Sequence, residues 1–260
     1  MTPPPAVTKQ PKKAKPAIEA HGLGVRFSRN GRKRRSIREL LIKGSTGLEA
    51  DEFWALRDVS FEVPKGEAVG LVGANGSGKS TLLKMVAGVM IPDEGTVKVR
   101  GAVAPLIEVT GGFIADLTAR DNIWLMGGLH GLSKDEIAER FDEIVDWAGI
   151  GDFLDTPFKH FSSGMKVRLG FSVVTQLDGP ILIVDEVLAV GDRKFREKCY
   201  ARLEERLAEG RTMFVVSHSE GDLRRFCTRG LYMNKGRLLA DGPLEDVLTQ
   251  YIADSDAGRT

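Results

Sequence analysis

The chain has 260 residues, 42% hydrophobic and 28% charged, enough for one large or two small domains with a real core. No run of about 18 or more apolar residues occurs, which excludes a bilayer-spanning helix, and the opening Thr2-Pro3-Pro4-Pro5 with Lys9, Lys12, Lys13 and Lys15 lacks a signal peptide's apolar stretch. The net charge of +1 hides an asymmetry: residues 1–45 hold 12 Lys/Arg against two acidic residues, Glu19 and Glu39, leaving 25 basic and 34 acidic residues for the rest. A basic arm on an acidic body predicts an anionic partner surface, phospholipid headgroups or nucleic acid. For residues 1–17 the Pro/Lys content favours a disordered, solvated tail instead. Cys199 and Cys227 make no disulfide framework and fit a reducing cytosol.

Residues 21–27 read as a first short strand and 54–63 as a second, alternating one. Between them runs Arg32-Lys33-Arg34-Arg35-Ser36-Ile37-Arg38-Glu39-Leu40-Leu41-Ile42-Lys43-Gly44. Ser36-x-x-Glu39 is a capping box and Gly44 a helix stop. Ile37, Leu40 and Leu41 share one face among basic residues. Such a helix is marginal alone; it is expected to rest on a membrane surface, on a partner protein or on its own domain.

An apolar run at 68–72 and a helix-like one at 81–87 enclose Gly73-Ala74-Asn75-Gly76-Ser77-Gly78-Lys79-Ser80. This is a full G-x-x-x-x-G-K-S loop in the strand–loop–helix context it needs; the alternative is an ordinary glycine-rich turn. Glycines let backbone N–H groups curl around phosphate oxygens without Cβ clashes. The helix start behind them, from Thr81 onward, adds its dipole and unpaired donors. Lys79 is placed to neutralise β- and γ-phosphates, and the Ser80 hydroxyl to take a Mg²⁺ position. The loop predicts a nucleoside triphosphate as ligand.

Strands are expected at 96–100 and 102–107. Residues 113–176 then turn helical, with Thr118-x-x-Asp121 and Ser133-x-x-Glu136 as helix starts. Ile137, Phe141, Ile144, Val145 and Ala148 recur at helical spacing as a core stripe. Residues 181–184 and 213–216 read as buried strands at α/β spacing. Residues 231–233 and 237–240, joined by Asn234-Lys235-Gly236, form a hairpin, and Pro243 opens a closing helix. The 181–184 strand ends in Asp185-Glu186, 106 residues after Lys79. A carboxylate at the carboxyl end of a parallel strand lies beside the phosphate loop in doubly wound folds. Asp185 is expected to hold Mg²⁺, directly or through water, and Glu186 to polarise the water that attacks the γ-phosphate.

Phe161-Ser162-Ser163-Gly164-Met165, with Ser162 lying 23 residues before Asp185, resembles the Leu-Ser-Gly-Gly-Gln signature of ATP-binding cassette (ABC) ATPases, keeping Ser162 and Gly164. Val215-Val216-Ser217-His218, ending 33 residues beyond Asp185, resembles the strand end that carries their switch histidine. Val187-Leu188-Ala189-Val190-Gly191-Asp192 matches the loop that crosses their dimer interface, with Asp192 retained. In this order and spacing the chain is identified as a member of that superfamily over about residues 18–250. The resemblance implies an α/β P-loop NTPase of the ABC ATPase type: a RecA-like core, an antiparallel β subdomain and a helical subdomain at about 113–176, with 251–260 as a C-terminal tail. It also implies a homodimer in which one copy's phosphate loop and the other's Ser162 and Gly164 close on ATP, while His218 bonds the γ-phosphate and helps position water.

Leu106-Ile107-Glu108-Val109-Thr110-Gly111-Gly112-Phe113 places Glu108 where the superfamily has glutamine, and Ser163 and Met165 depart from the signature. With Phe53-Trp54-Ala55-Leu56-Arg57-Asp58-Val59-Ser60-Phe61, this wording is similar to ATPase subunits of bacterial polysaccharide exporters, which serve O-antigen, capsular polysaccharide or teichoic acid. That branch implies a gate-like helix near the membrane, here 34–43 with Arg38 at the interface, whose basic residues face lipid headgroups or an anionic lipid-linked glycan. It implies a peripheral ATPase on the cytoplasmic face of the plasma membrane, two copies of an integral-membrane permease as partners, and no nucleic acid. Glu108 is expected near Mg²⁺ or in coupling to the transporter, since a carboxylate repels phosphate more than an amide does. Asp192 is expected at the interface. Trp54, Phe53 and Phe27 all lie where the adenine-stacking aromatic belongs, with Trp54 the choice. Some relatives carry a C-terminal sugar-binding domain; closing near residue 260, this chain is expected to have none. The other readings are the ATPase of a different ABC transporter, or a soluble nucleic-acid ABC ATPase, which usually carries two cassettes or a long coiled coil.

Overall fold

The computed structural model describes residues 15–28, 52–106, 111–176, 179–185, 192–217 and 219–259. The expectations for residues 34–43 with Arg38, for Glu108, Glu186 and His218, and for 187–191 lie outside the described residues.

In chain order, β1 (Ile18–Ser28) and β2 (Glu52–Val63) precede β3 (Ala68–Val72), α1 (Lys79–Val86), β4 (Glu94–Val99) and β5 (Val103–Leu106). Then come α2 (Ala119–Leu129), α3 (Lys134–Ala148), α4 (Ser163–Thr175), β6 (Ile181–Asp185) and α5 (Arg193–Ala208). The chain continues through β7 (Thr212–Val216), α6 (Glu220–Phe226), β8 (Arg229–Asn234), β9 (Arg237–Pro243) and α7 (Leu244–Asp256). The predicted helix starts are real caps: Thr118 accepts from the Asp121 N–H, and Ser133 and Glu136 form a reciprocal box. Two boundaries move. Ala17, assigned to the tail, is 2% exposed and its N–H donates to Val63 O. The last helix runs past 250 because Tyr251 extends the apolar stripe of Leu244, Val247 and Leu248 by a turn.

The strands build two sheets. A three-stranded antiparallel sheet has the order β2-β1-β4, and a six-stranded sheet has the order β5-β6-β7-β3-β8-β9 with only β9 antiparallel. Alternation of side chains sorts the large sheet into two faces. Val69, Leu71, Ile183, Phe214, Val216 and Leu231 pack with α1 and the small sheet. Val72, Leu182, Val184, Met213, Val215 and Tyr232 pack with α4, α5, α6 and α7. Helix α1 is therefore clamped between two sheets, its Leu82, Leu83, Met85 and Val86 no more than 1% exposed. Phe61 of the small sheet stacks on Phe214 of the large one (5.7 Å, 14°), which fixes their spacing.

Helices α2, α3 and α4 share a third core around Ile123, Ile137, Ile144, Phe158 and Leu169. Helix α4 serves two cores at once, Leu169 and Val173 facing the helices and Phe171 and Val174 the sheet. Trp147 of α3 stacks on Phe171 (5.3 Å, 15°) and joins the two. Among the described residues no helix is long and apolar enough to cross a membrane.

Candidate functional site

The loop leaving β3 can fold only because of its glycines. Gly73, Gly76 and Gly78 have φ of 151°, 80° and 105°, angles that L side chains rarely adopt. Space is as restrictive as angle: a Cβ on Gly73 would lie 2.2 Å from Met233 O, and one on Gly78 2.7 Å from Ala55 O. The Ser77 N–H donates to Ala74 O (3.1 Å), closing the loop, and the Leu82 N–H donates to Gly78 O (3.0 Å), starting α1.

Helix α1 differs from its neighbours at its start. Thr118, Ser133, Ser162, Asp192 and Ser219 cap α2, α3, α4, α5 and α6 through side-chain oxygens. Among the described residues no side chain caps α1, and its first turn holds no acidic residue. Its leading N–H groups and dipole are thus available to an external anion. Lys79, 8% exposed, lies across the loop with Nζ donating to Gly73 O (2.6 Å) and Ala74 O (3.1 Å). The buried Ser77 Oγ has no hydrogen-bond partner among the described residues. Ala74, Asn75 and Gly76 leave the mouth of the loop open, and Ser80 is exposed beside Thr81 at the helix start. A bare backbone cradle, an ammonium and a hydroxyl converge here, a donor set that fits a phosphate chain with a hard divalent cation.

Sheet register brings the remaining pieces to the same edge. Asp185 ends β6 opposite Val216 of β7, and Val216 lies opposite Leu71 of β3. Asp185, the segment after Val216 and the phosphate loop therefore leave adjacent parallel strands at their carboxyl ends, where ligands bind in open α/β sheets. The residues flanking 218 are held by groups that sequence reasoning missed. Ser217 Oγ donates to Asp222 Oδ2 (3.2 Å) and accepts from the Ser219 N–H (3.0 Å). Tyr200 OH donates to the other carboxylate oxygen of Asp222 (2.7 Å). Burial, reinforced by Asp222, pushes the Tyr200 phenol up to about 12. The Ser219-x-x-Asp222 spacing is the one local signal that could have found the cap; nothing local points to Tyr200.

Ser162 is the exposed N-cap of α4, accepting from the Met165 N–H (3.2 Å). A Cβ on Gly164 would approach only Ser162 Oγ, at 4.0 Å, so this helix start is open to a second molecule. The segment before it is laced to residues 113–118: the Phe158 N–H donates to Leu117 O (2.9 Å), the Lys159 N–H to Ala115 O (2.8 Å), and Phe113 stacks on Phe158 (4.8 Å). Asp192 caps α5, accepting from the Phe195 N–H (2.8 Å), and pairs with Arg168 of α4. The Phe195 N–H, then Arg168, hold its carboxyl below the usual range.

The three candidate aromatics do not share one face. Arg26 pairs with Trp54 and Phe27 with Phe53, so the two pairs point to opposite faces of the small sheet. Trp54 lies across Gly24, with Arg26 and Arg57 guanidinium carbons 5.2 and 5.3 Å from its ring centroid. Phe27 shares the face of buried Val25, toward α1, and its ring lies 6.0 Å from that of Phe53; they are 38% and 41% exposed. The pair, not Trp54, offers open aromatic surface on the loop's side of the sheet.

A pH prediction follows from Asp192. Its folded pKa is depressed, so its contribution is present above the unfolded value and lost as pH falls through the folded one. The stability gap between wild type and Asp192→Asn in urea melts is expected to be full above about pH 4 and to close below it. A gap constant down to pH 3 would show that the carboxylate's charge contributes nothing.

Comparison with known proteins gives the same family as the motifs. Residues 56–189 match the family described as ABC transporter. The ABC transporter protein AbcA of Aeromonas salmonicida is 45% identical over 199 residues, 76% of this chain and 65% of that protein. The teichoic acids export ATP-binding protein TagH of Bacillus anthracis is 41% identical over 215 residues, 83% of this chain and 38% of its own length. The O-antigen export system ATP-binding protein RfbB of Klebsiella pneumoniae is 44% identical over 204 residues, 78% of this chain and 83% of that one. The chain thus spans less than two thirds of AbcA and of TagH. A solved structure described as the ATP binding subunit of an ABC transporter superposes with a TM-score of 0.71 at 26% identity, over 90% of this chain and 93% of that one. Phosphate loop, open signature helix and Asp185 all fall inside the matched residues, and the chain belongs to the ABC transporter family.

Proposed function

We propose that two copies of this chain hydrolyse ATP between them and so power export of a lipid-linked polysaccharide through a separate membrane permease. One observation carries the hydrolytic half. Among the described residues, α1 starts behind the phosphate loop with neither a side-chain cap nor an acidic residue, and α4 starts at exposed Ser162 with no acidic residue in its first turn and open space at Gly164. One copy can supply only one wall around a nucleotide; a second copy's α4 supplies the other. The export half draws on relatives whose names specify O-antigen and teichoic acid export.

In this reading Gly73 to Thr81 wrap the phosphates of ATP, with Lys79 on the β/γ oxygens. Ser80 and Asp185 hold Mg²⁺, which when bound neutralises charge building on the phosphates. Glu186 takes a proton from the attacking water, and His218 holds a γ-oxygen. The residues on either side of position 218 are anchored by the bonds among Ser217, Ser219 and Asp222, which supports this role. Ser162 and Gly164 meet the γ-phosphate of the partner copy, and Asp192 stands at the crossing between copies. Glu108 serves coupling to the permease. Residues 34–43 with Arg38 face the membrane, placing the ATPase on its cytoplasmic surface. The Phe27–Phe53 pair stacks the base.

Phe27→Ala is expected to weaken ATP binding about fivefold or more, on the scale of base–aromatic stacking, and Trp54→Ala to leave it near wild type. The reverse order, in a fluorescent-nucleotide titration, would return the base to Trp54. Glu186→Gln is expected to keep ATP binding, lose about 10²–10⁴-fold in turnover, and elute as a stable dimer with ATP. Turnover at the wild-type rate would remove Glu186 from its role. In cells, a Lys79→Ala strain is expected to lose surface polysaccharide. Normal surface glycan, or ATPase activity strongly stimulated by DNA or RNA, would count against the export reading.

A further inference from the structure

The phosphate loop is supported from behind by a part of the chain remote in sequence. Lys235 and Gly236 join β8 to β9 in the left-handed region, with φ of 46° and 76°, the geometry of a type I′ hairpin. The Gly236 N–H donates to Ser77 O (3.0 Å), and Gly236 O accepts from the Arg57 N–H (2.8 Å). Bare backbone is required, because a Cβ on Gly236 would sit 2.7 Å from Ala55 O. The same hairpin's Met233 O overhangs Gly73, where an added Cβ would lie at 2.2 Å. Gly73 and Ser77 therefore both rest on the β8–β9 hairpin.

That hairpin is held in turn by the end of α7. Gly258 has φ 64°; its N–H donates to Ser255 O (3.0 Å), and the Arg259 N–H donates to Asp254 O (2.9 Å). This pairing is a Schellman turn, which reverses the chain at a helix end. The reversal carries the Arg259 carbonyl to the hairpin, where it accepts from Asn234 Nδ2 (2.9 Å) and Lys235 Nζ (3.5 Å). One turn earlier, Tyr251 packs edge-on against Tyr232 of β8 (5.5 Å, 61°). With Leu248 it lines a cavity of about 30 Å³ behind Gly73 and Ser217.

We infer that the turn ending α7 is a positioning element for the phosphate loop: the conformation at Gly258, acting through Arg259 O and the 234–236 hairpin, sets nucleotide affinity from outside the site. This role presupposes that the loop binds nucleotide. Arg259 O is held by two side chains of the hairpin itself, the short Asn234 amide and the Lys235 ammonium, while the hairpin backbone bonds Ser77 through the Gly236 N–H and is wedged against β2 by Gly236. A shift of the turn reaches Ser77 through the short Asn234 side chain and this rigid hairpin. Arg259 touches no ligand in this arrangement; it acts through Asn234 and Gly236.

The experiment uses the full chain and ATP, read by displacement of a fluorescent ATP analogue. A Cβ at 258 would meet nothing within 4 Å, so Gly258→Val acts on the turn alone. It is expected to raise the Kd for ATP about three- to thirtyfold, the range of couplings carried by packed networks, with turnover at saturating ATP near wild type. Gly258→Asn, which tolerates the left-handed region, is expected to restore affinity, and removal of 257–260 to reproduce the loss. Gly149, which ends α3 at the same φ of 64° and also has open space around it, supplies the control. Gly149→Val is expected to bind ATP as wild type does. Wild-type affinity in Gly258→Val and in the truncation, or an equal loss in Gly149→Val, overturns the inference while leaving the nucleotide reading intact. A wild-type chain that binds no ATP overturns both.

Discussion

Two carbonyl groups stand so close to Gly73 and Gly78 that no side chain fits between, Met233 O above one and Ala55 O above the other. A loop that binds anions with bare N–H groups must be packed from behind by bare backbone as well, or it would have no fixed shape. The rest of the molecule follows from that seat. Strand β2 must cross the loop, so the small sheet lies over α1. The β8–β9 hairpin must reach back to Ser77, so it flanks β3 directly. Helix α1, pressed between the sheets, cannot shift without moving the loop it carries.

Helix starts in this chain differ in what they offer an anion. Thr118, Ser133, Asp192 and Ser219 satisfy their helices' first N–H groups locally. Helix α1 has no such side chain among the described residues, and α4, capped by Ser162, has no acidic residue in its first turn. A capped, acid-led helix start repels an incoming phosphate; an uncapped or exposed one without acid attracts it. Asp192 shows how one carboxylate can serve packing and placement together. It caps α5 and ties α4 to it through Arg168, so the two helices are joined by one side chain.

Local chemistry made much of the fold readable. The strand alternation, the caps at Thr118 and Ser133, and the turn at Asn234-Lys235-Gly236 depend on neighbours within a few residues, so residue order alone carries them. Helices α5 and α6 were harder to see, because α5 is mostly charged and α6 spans only seven residues. Trp54, Phe53 and Phe27 all lie in the region where a stacking aromatic belongs, and position alone does not separate them. The face of Trp54 depended on the irregular register between Val25 and Arg26, which no local pattern announces.

By itself the sequence determined the chemistry of the loop, the carboxylate at the end of β6, the family and the helix start at Ser162. Each is set by residue types at short spacing, since glycine, lysine, serine and aspartate keep their donors and charges wherever the chain goes. Only the tertiary structure decided that Phe27 and Phe53 come together, that Tyr200 and Asp222 anchor Ser217, and that Arg259 lies behind the hairpin supporting Ser77. Those contacts join residues far apart in the chain. Sheet register and the close approach of backbones, not local preference, bring them together.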